Sequence, residues 1–408
     1  MKIAILYDLL LFVLFFSVPV KAGLYTGENY SDRSVPIRDN HHNTVSLKKL
    51  DDLIVSGEGK FEQGISAPYA GAIGNVLVVA GGCNFPEGAT ADSAQKVYYD
   101  DIYVLENPLQ EDARWKKAGK IPRRAAYGVS INIPEGILCI GGRDETGALK
   151  ECWLLKREAG KSQIIIEKWP DLPVHMDNMA GATGGGKVYV AGGHIDGKPG
   201  NRCFSLLLND PRKWEELPSF PGKGRVQAVG TVQNTSEESR FFVMGGYCPP
   251  QAEKEGYVHT DGLCYSPRDK KWYPVAEILP YGETQTLALV GSAATPSGSH
   301  HIVFTGGVDK ERFTEAINRP FCMERALQTK NDSLWNRLQE EQKNYLKHPG
   351  EWYRFNSRLL LYHTLTNSWI TEGHFPQLAL AGAALVPYQG NWIIINGENK
   401  PGVRSTAV

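Results

Sequence analysis

One short pattern recurs along the chain and limits what it can become: an apolar run that stops at two glycines. It reads Val76-Leu-Val-Val-Ala-Gly81-Gly82, Ile137-Leu-Cys-Ile-Gly141-Gly142, Val188-Tyr-Val-Ala-Gly192-Gly193, Phe241-Phe-Val-Met-Gly245-Gly246 and Ile302-Val-Phe-Thr-Gly306-Gly307. A sixth copy, Trp392-Ile-Ile-Ile-Asn396-Gly397, puts asparagine in the first glycine position and runs on into Glu398. The copies recur at roughly 50- to 60-residue intervals, apart from the longer step between the fifth and sixth, and such a period marks a repeated supersecondary unit.

The flanks of each copy give that unit its strands. A short strand precedes the apolar run, as at residues 70–73 and 127–131. In the first five copies a third strand follows and then a tryptophan: residues 101–105 lead to Trp115, 151–155 to Trp169, 202–206 to Trp214, 262–265 to Trp272 and 359–362 to Trp369. A four-stranded sheet cannot bury both faces by itself, but several packed radially bury one another. The expected fold is therefore all-β: a six-bladed kelch-type β-propeller formed by residues 44–408. Its glycine pairs would make tight strand exits against the next blade, and its tryptophans would wedge between blades. The sixth copy is followed by too little chain for a full sheet, so residues 44–55 are expected to supply a missing outer strand and tie the two ends together.

The long step between the fifth and sixth copies holds an insertion in the fifth blade, residues 310–350. Its apolar residues fall at three- and four-residue spacing, which predicts two short helices separated at Pro320. It is either surface decoration or a lid over the central opening, since long insertions in a compact domain often serve function.

Composition excludes several classes. Formal net charge is −1, with no basic face to attract nucleic acid. Residues 1–22 carry Lys2, an apolar stretch and Val20-Lys21-Ala22, the pattern of a cleaved export signal. The apolar stretch is short for a membrane span, which needs about 20 residues. Residues 23–43 read as a flexible leader. The mature chain is expected in a periplasm without a stable membrane anchor. Seven cysteines include no C-x-x-C pair; Cys139 reads as core, and a Cys139–Cys152 cross-strand disulfide stands as the alternative. No H-E-x-x-H or paired-cysteine metal signature, phosphate-binding glycine loop or G-x-S-x-G elbow occurs.

In a propeller the turns after the second strand of every blade meet around the axis. That would gather Asn84, Arg143, His194, Tyr247, Asp309, Glu398 and Arg404 into a polar funnel of both charges, suited to a small polyhydroxylated acid. Glu398 is the candidate base. Arg404 is the candidate anion clamp, because guanidinium matches a carboxylate in a bidentate fork. Arg143, Asn84 and His194 complete the candidate binding set.

The run 380–387, Leu-Ala-Gly-Ala-Ala-Leu-Val-Pro, followed by Ile395-Asn-Gly-Glu-Asn-Lys-Pro-Gly-Val-Arg404, resembles the Asn-Gly-Glu-x-Lys-Pro-Gly-x-Arg signature of the N-acetylneuraminate epimerases, the sialic acid mutarotases. The segment Ala125-Ala-Tyr127-Gly128-Val129-Ser130 is similar to another stretch of that family, and the insertion falls where the family has one. In the best-known members the Asn-Gly-Glu blade lies in mid-chain; here it is last, so the order resembles a circular permutation. The resemblance implies conversion of α-N-acetylneuraminate to the β anomer, with Glu398 as proton acceptor and Arg404 contacting substrate. It implies ring opening and reclosure at C2 without metal or redox cofactor, with water, His194 or Tyr247 as the acid. The implied partner is the small sugar acid; a homodimer is left open. The alternative is a non-catalytic kelch propeller that binds a sialylated glycan or a protein. A sialidase would need Asp-box turns, which are absent from the sequence; a copper oxidase would need a Tyr, His and Cys cluster.

Overall fold

The apolar runs become strands because they are buried on both faces. Every residue of Val76–Ala80 is buried, as are nearly all of Gly136–Asp144 and the last four of Ser239–Met244. The computed structural model describes residues 45–56, 62–89, 95–158, 163–251 and 254–408. The export signal read at 1–22 and the leader at 23–43 lie outside the described residues.

Consecutive strands pair antiparallel into up-and-down sheets. The first is Tyr69–Ile73, Val76–Ala80, Asp101–Glu106 and Trp115–Lys120. The second, Val129–Ile133, Gly136–Asp144, Gly147–Arg157 and Ile164–Trp169, continues through short strands at Met176–Asp177, His194–Ile195 and Lys198–Pro199. The third, fourth and fifth begin at Ala180–Gly184, Val229–Asn234 and Ser292–Ser297, with four strands each. Ala384–Tyr388 and Asn391–Ile395 form a hairpin after the fifth. First strands touch in cyclic order, and that of the hairpin touches that of the first sheet, so the arrangement is a propeller-like ring. The apolar clusters lie between neighbouring sheets: Val78, Ile102, Ile137 and Cys139 join the first to the second, and Phe242, Met244, Phe304 and Trp369 join the fourth to the fifth.

Residues 45–55 form no regular strand, but the tie between the ends is present. Leu50 and Leu53 donate backbone hydrogen bonds to Val408 (2.8 Å) and Thr406 (2.9 Å), and Asn396 N–H donates to Ala407 (2.9 Å). Leu53 is packed with Leu77, Val386 and Ile395. The expected tryptophan wedges are also bolts. The indole N–H of Trp214 donates to the Pro170 carbonyl (2.9 Å), that of Trp272 to Pro218 (2.7 Å) and that of Trp369 to Ala276 (3.3 Å), each in the preceding sheet or its exit. Trp115 does the same to Asp51 (2.9 Å), so the N-terminal segment occupies the place of a preceding outer strand.

The glycine pairs exit as expected. Gly81 and Gly306 have φ of 67° and 70°, and a Cβ there would lie 2.3 Å from the Ala125 carbonyl oxygen and 2.2 Å from that of Leu380. In the sixth copy Asn396 takes the same left-handed conformation (φ 51°), which asparagine tolerates. Its amide nitrogen donates to Leu53 O (3.3 Å) and its amide oxygen accepts from Ile65 N–H (3.4 Å).

Two expectations fail. The disulfide is excluded by the pleat: Cys139 faces Trp153 across the ladder while Cys152 faces Ile140, so the two side chains lie on opposite faces of the sheet. All seven cysteines are free. Pro320 does not divide the insertion. It sits inside helix α1 (Lys310–Gln328), and the break comes at residues 329–331, where Lys330 has φ 53° and Asn331 caps helix α2 (Asp332–Asn344) by accepting from Leu334 N–H. No helix of the described residues is long and apolar enough to cross a membrane.

Asp309 caps α1, its carboxylate accepting from Arg312 N–H (2.9 Å) and from Arg354 (2.6 Å). Asp309→Ala should cost about 1 kcal/mol, read as faster hydrogen exchange of the first-turn amides of α1, whereas Asp309→Asn should retain most of their protection.

Candidate functional site

The residue after each glycine pair pairs back onto the chain just ahead of a first strand. The pairings are Ser66 with Cys83, Ala126 with Arg143, Asp177 with His194, Val226 with Tyr247 and Ala381 with Glu398. Val308 N–H likewise reaches the Val290 carbonyl (3.1 Å). The ring therefore offers one equivalent position per repeat, filled by Cys83, Arg143, His194, Tyr247, Val308 and Glu398. Three of the sequence-derived site residues, Arg143, His194 and Glu398, occupy it, together with Tyr247. Asn84 and Asp309 miss it by one residue, and in an extended chain that puts the side chain on the opposite face. Asn84 is fully buried; its Nδ2 donates to Ser56 Oγ and the Gly64 carbonyl (both 2.8 Å), and its Oδ1 accepts from Tyr99 Oη (2.8 Å). It fixes the loop and does not face the opening.

Glu398 and Arg404 meet because the chain folds back between them. Glu398–Lys400 and Val403–Arg404 form a small antiparallel ladder around Pro401-Gly402, with Gly402 at φ 84° and Glu398 directly opposite Arg404. Opposite residues of a ladder share a face, and Arg404 Nη2 lies 2.6 Å from Glu398 Oε1. The two are aligned as an ion pair rather than as a hydrogen bond: Glu398 Oε1 and both terminal nitrogens of Arg404 have no well-directed hydrogen-bond partner among the described residues. Arg404 Nε donates to Ser66 Oγ (3.2 Å), and the guanidinium lies over the Phe85 ring, 4.8 Å from its centroid. The Arg404 side chain is fully buried; the Glu398 side chain retains 10 % exposure. A buried ion pair with donor capacity left over is weak evidence for stability and better evidence for a ligand site.

On the far side Asp177 organises a second group. His194 Nδ1 lies 2.7 Å from its Oδ1, Arg143 Nη1 3.5 Å from its Oδ2, and Asn178 Nδ2 donates to Oδ1 (2.7 Å). Burial pushes the Asp177 carboxyl up. The His194 hydrogen bond and charge, Arg143 and Asn178 more than offset this and hold it below its ordinary value. A carboxyl depressed in the folded state stabilises fully above its unfolded value, about pH 4, and that stability is lost as pH falls through the folded value. Asp177→Asn should thus be less stable than wild type at pH 7, with the gap narrowing below about pH 4 in urea unfolding.

The insertion packs on the same ring of positions. Phe313 packs edge-on against Tyr247 (5.0 Å between centroids), and Lys400 Nζ donates to the His348 carbonyl (3.0 Å). Burial pushes the Tyr345 phenol up to about 12, and the Glu398 charge adds to the shift.

A sequence profile described as N-acetylneuraminate epimerase matches residues 12–164 and 169–408. The chain belongs to that family. Among curated relatives, the N-acetylneuraminate epimerase of Pasteurella multocida (strain Pm70) is 28 % identical over 252 residues, covering 58 % of this chain and 57 % of the relative. That of Salmonella paratyphi B is 29 % identical over 241 residues, covering 59 % and 57 %. The chain therefore spans about 57 % of the length of the curated relatives it matches. A solved structure, "Structure of YjhT", is similar at 25 % identity and a TM-score of 0.48, over 58 % of this chain and 62 % of that one.

Two residues of this epimerase-family chain escaped the sequence reading as site residues. Lys96 Nζ donates to Tyr127 Oη (3.3 Å), lies 5.1 Å from the Tyr127 ring centroid and 6.0 Å from that of Phe85, the ring that Arg404 covers. Cys83 Sγ donates to the same Tyr127 hydroxyl (3.4 Å). The stretch between the glycine pair and the third strand differs in length from repeat to repeat, so periodicity could not find Lys96. Tyr127 had a signal: its position just ahead of a first strand is filled elsewhere by Ala67, Asn178, Gln227, Gly291 and Gly382, all at positive φ, and there a bulky ring is the misfit. No group of three or more His, Cys, Asp or Glu suited to a metal ion occurs among the described residues.

Proposed function

We propose that this protein is a sialic acid mutarotase, an isomerase that speeds conversion of α-N-acetylneuraminate to its β anomer. It would act as a six-bladed kelch propeller in which the end-to-end tie completes the sixth blade and the Asn-Gly-Glu blade comes last. One observation carries the reading: the Glu398 carboxylate, partly open to the axis, paired with the buried Arg404 guanidinium. Glu398 accepts the proton of the C2 hydroxyl, and the bond between C2 and the ring oxygen breaks to give an open keto acid. Arg404, beside Glu398, holds the C1 carboxylate through its guanidinium, with Arg143 and His194 across the opening. Closure on the other face of C2 gives the second anomer. A positioned base contributes about 10²–10⁴-fold, useful against a reaction that already proceeds slowly unaided. The pattern of residues 1–22 supports a periplasmic place of action.

The test follows α-N-acetylneuraminate freshly released by a sialidase, using proton NMR of its C3 hydrogens with and without the purified protein. Faster appearance of the β anomer is the expected result. An unchanged rate with folded protein would leave a binding propeller.

A further inference from the structure

The proposed reaction needs a second group, because the departing ring oxygen must gain a proton as Glu398 takes one. Tyr127 has the geometry for it. Its hydroxyl accepts from both Lys96 Nζ (3.3 Å) and Cys83 Sγ (3.4 Å). Its backbone is held at φ 59°, where bulky side chains are rarely found. That conformation is imposed from both sides: Tyr127 N–H donates to the Ala67 carbonyl (3.0 Å) and its own carbonyl accepts from Asn178 N–H (2.7 Å). Strain of this kind persists where surrounding structure over-determines it, and it concentrates at functional sites. The Glu398–Arg404 pair is close enough for its charges to act on the Tyr127 hydroxyl. Phe85 lies between the two halves, with Arg404 and Lys96 both over its ring.

We propose that Tyr127 is the general acid of the site, giving its hydroxyl proton to the ring oxygen, and that Lys96 supplies that proton through the hydrogen bond between them. This rests on the mutarotase reading. As the bond between C2 and the ring oxygen breaks, the C2 hydroxyl proton goes to Glu398 and the ring oxygen takes the Tyr127 proton, which Lys96 replaces. The open form carries a C2 ketone and a C6 hydroxyl. After rotation about C2–C3 the hydroxyl adds to the other face of the ketone. Its proton returns to Tyr127 and Lys96, and the ketone oxygen recovers the proton on Glu398. No proton is gained or lost over the cycle.

The electrostatics fit the assignment. Burial lowers the Lys96 ammonium from its ordinary value to about 8, with Arg404 and Arg143 adding to the shift and Cys83 and Glu398 opposing it. It can therefore release a proton near neutrality. The Tyr127 phenol is pushed well above its ordinary value by burial, then by Cys83, Glu398 and Tyr98, against Arg404. It stays protonated and serves as a relay.

The same NMR assay is run as full rate curves on wild type, Tyr127→Phe, Lys96→Gln and Lys96→Arg, with thermal midpoints as folding controls. Tyr127→Phe and Lys96→Gln should each lower the protein-dependent kcat about 100-fold with KM within threefold. The wild-type kcat should fall above about pH 8, and Lys96→Arg, whose guanidinium does not give up its proton, should lose kcat as Lys96→Gln does. Either of the first two variants retaining kcat within threefold overturns the proposal. So does a change confined to KM, which would make Lys96 a carboxylate anchor. If Glu398→Gln is inactive while these variants are not, the mutarotase stands and the acid is elsewhere. A wild type with no effect on the rate overturns both readings.

Discussion

Glu398→Gln is expected to remove the protein-dependent acceleration of mutarotation by about 10²–10⁴-fold, the range a positioned base supplies. The amide matches the carboxylate in shape, so the hairpin that places it should persist: residue 398 keeps its backbone bonds to Ala381 (2.7 and 2.9 Å). It cannot accept a proton at neutral pH. The variant also strips Arg404 of the anion 2.6 Å away in a fully buried setting. Removing one partner of a buried pair costs about 3–5 kcal/mol when the remaining charge finds no other anion. A lower unfolding midpoint should therefore accompany the lost activity, and bound sugar acid, itself an anion, should restore part of it. Activity within threefold of wild type would dismiss Glu398 as the base.

Arg404→Met is expected to be the second large effect, through binding and stability together. It removes the guanidinium that would hold the C1 carboxylate and leaves Glu398 alone at the axis. KM for the sugar acid should rise by more than tenfold, the scale of one charge-assisted contact of roughly 1.5–3 kcal/mol. Arg404→Lys should rescue little, because an ammonium can reproduce neither the Nε contact to Ser66 Oγ nor the flat stacking over Phe85. Stability provides an internal control. Glu398→Gln and Arg404→Met should each be costly, but the double variant should be milder than their sum, because no buried charge is left unpaired. Strict additivity in urea unfolding would show that the two side chains do not act as a pair.

What the sequence disclosed followed its periodicity. The glycine pairs located the turns of the ring, so Arg143, His194, Tyr247 and Glu398 could be given equivalent positions from the sequence alone. The Asn-Gly-Glu-x-Lys-Pro-Gly-x-Arg run encodes its own hairpin, which sets Arg404 opposite Glu398. Asn84 was misplaced by one position because a strand's two faces alternate residue by residue, and spacing alone does not show which of Cys83 and Asn84 turns inward. Lys96 was invisible because the stretch after the glycine pair varies in length and residues from repeat to repeat. Pro320 misled because a helix can lose a single backbone bond when neighbouring contacts hold it. Here Asn318 bonds both backbone groups of Gly256 (2.7 and 2.9 Å), and Ile317 is packed against Val226, Tyr247 and Val290.

The tie between the ends has a bearing on when the protein can work. Gly397 N–H donates to the Ile65 carbonyl, Arg404 N–H approaches Gln63 Oε1 and Arg404 Nε reaches Ser66 Oγ. The proposed base and its clamp are thus gripped by residues more than 300 positions earlier in the chain. A molecule with its final hairpin undocked would keep Tyr127, Arg143 and His194 but lack the proposed base and clamp. Under the proposed mechanism, activity requires both ends of the chain to be docked, and it would report on the integrity of the whole circle.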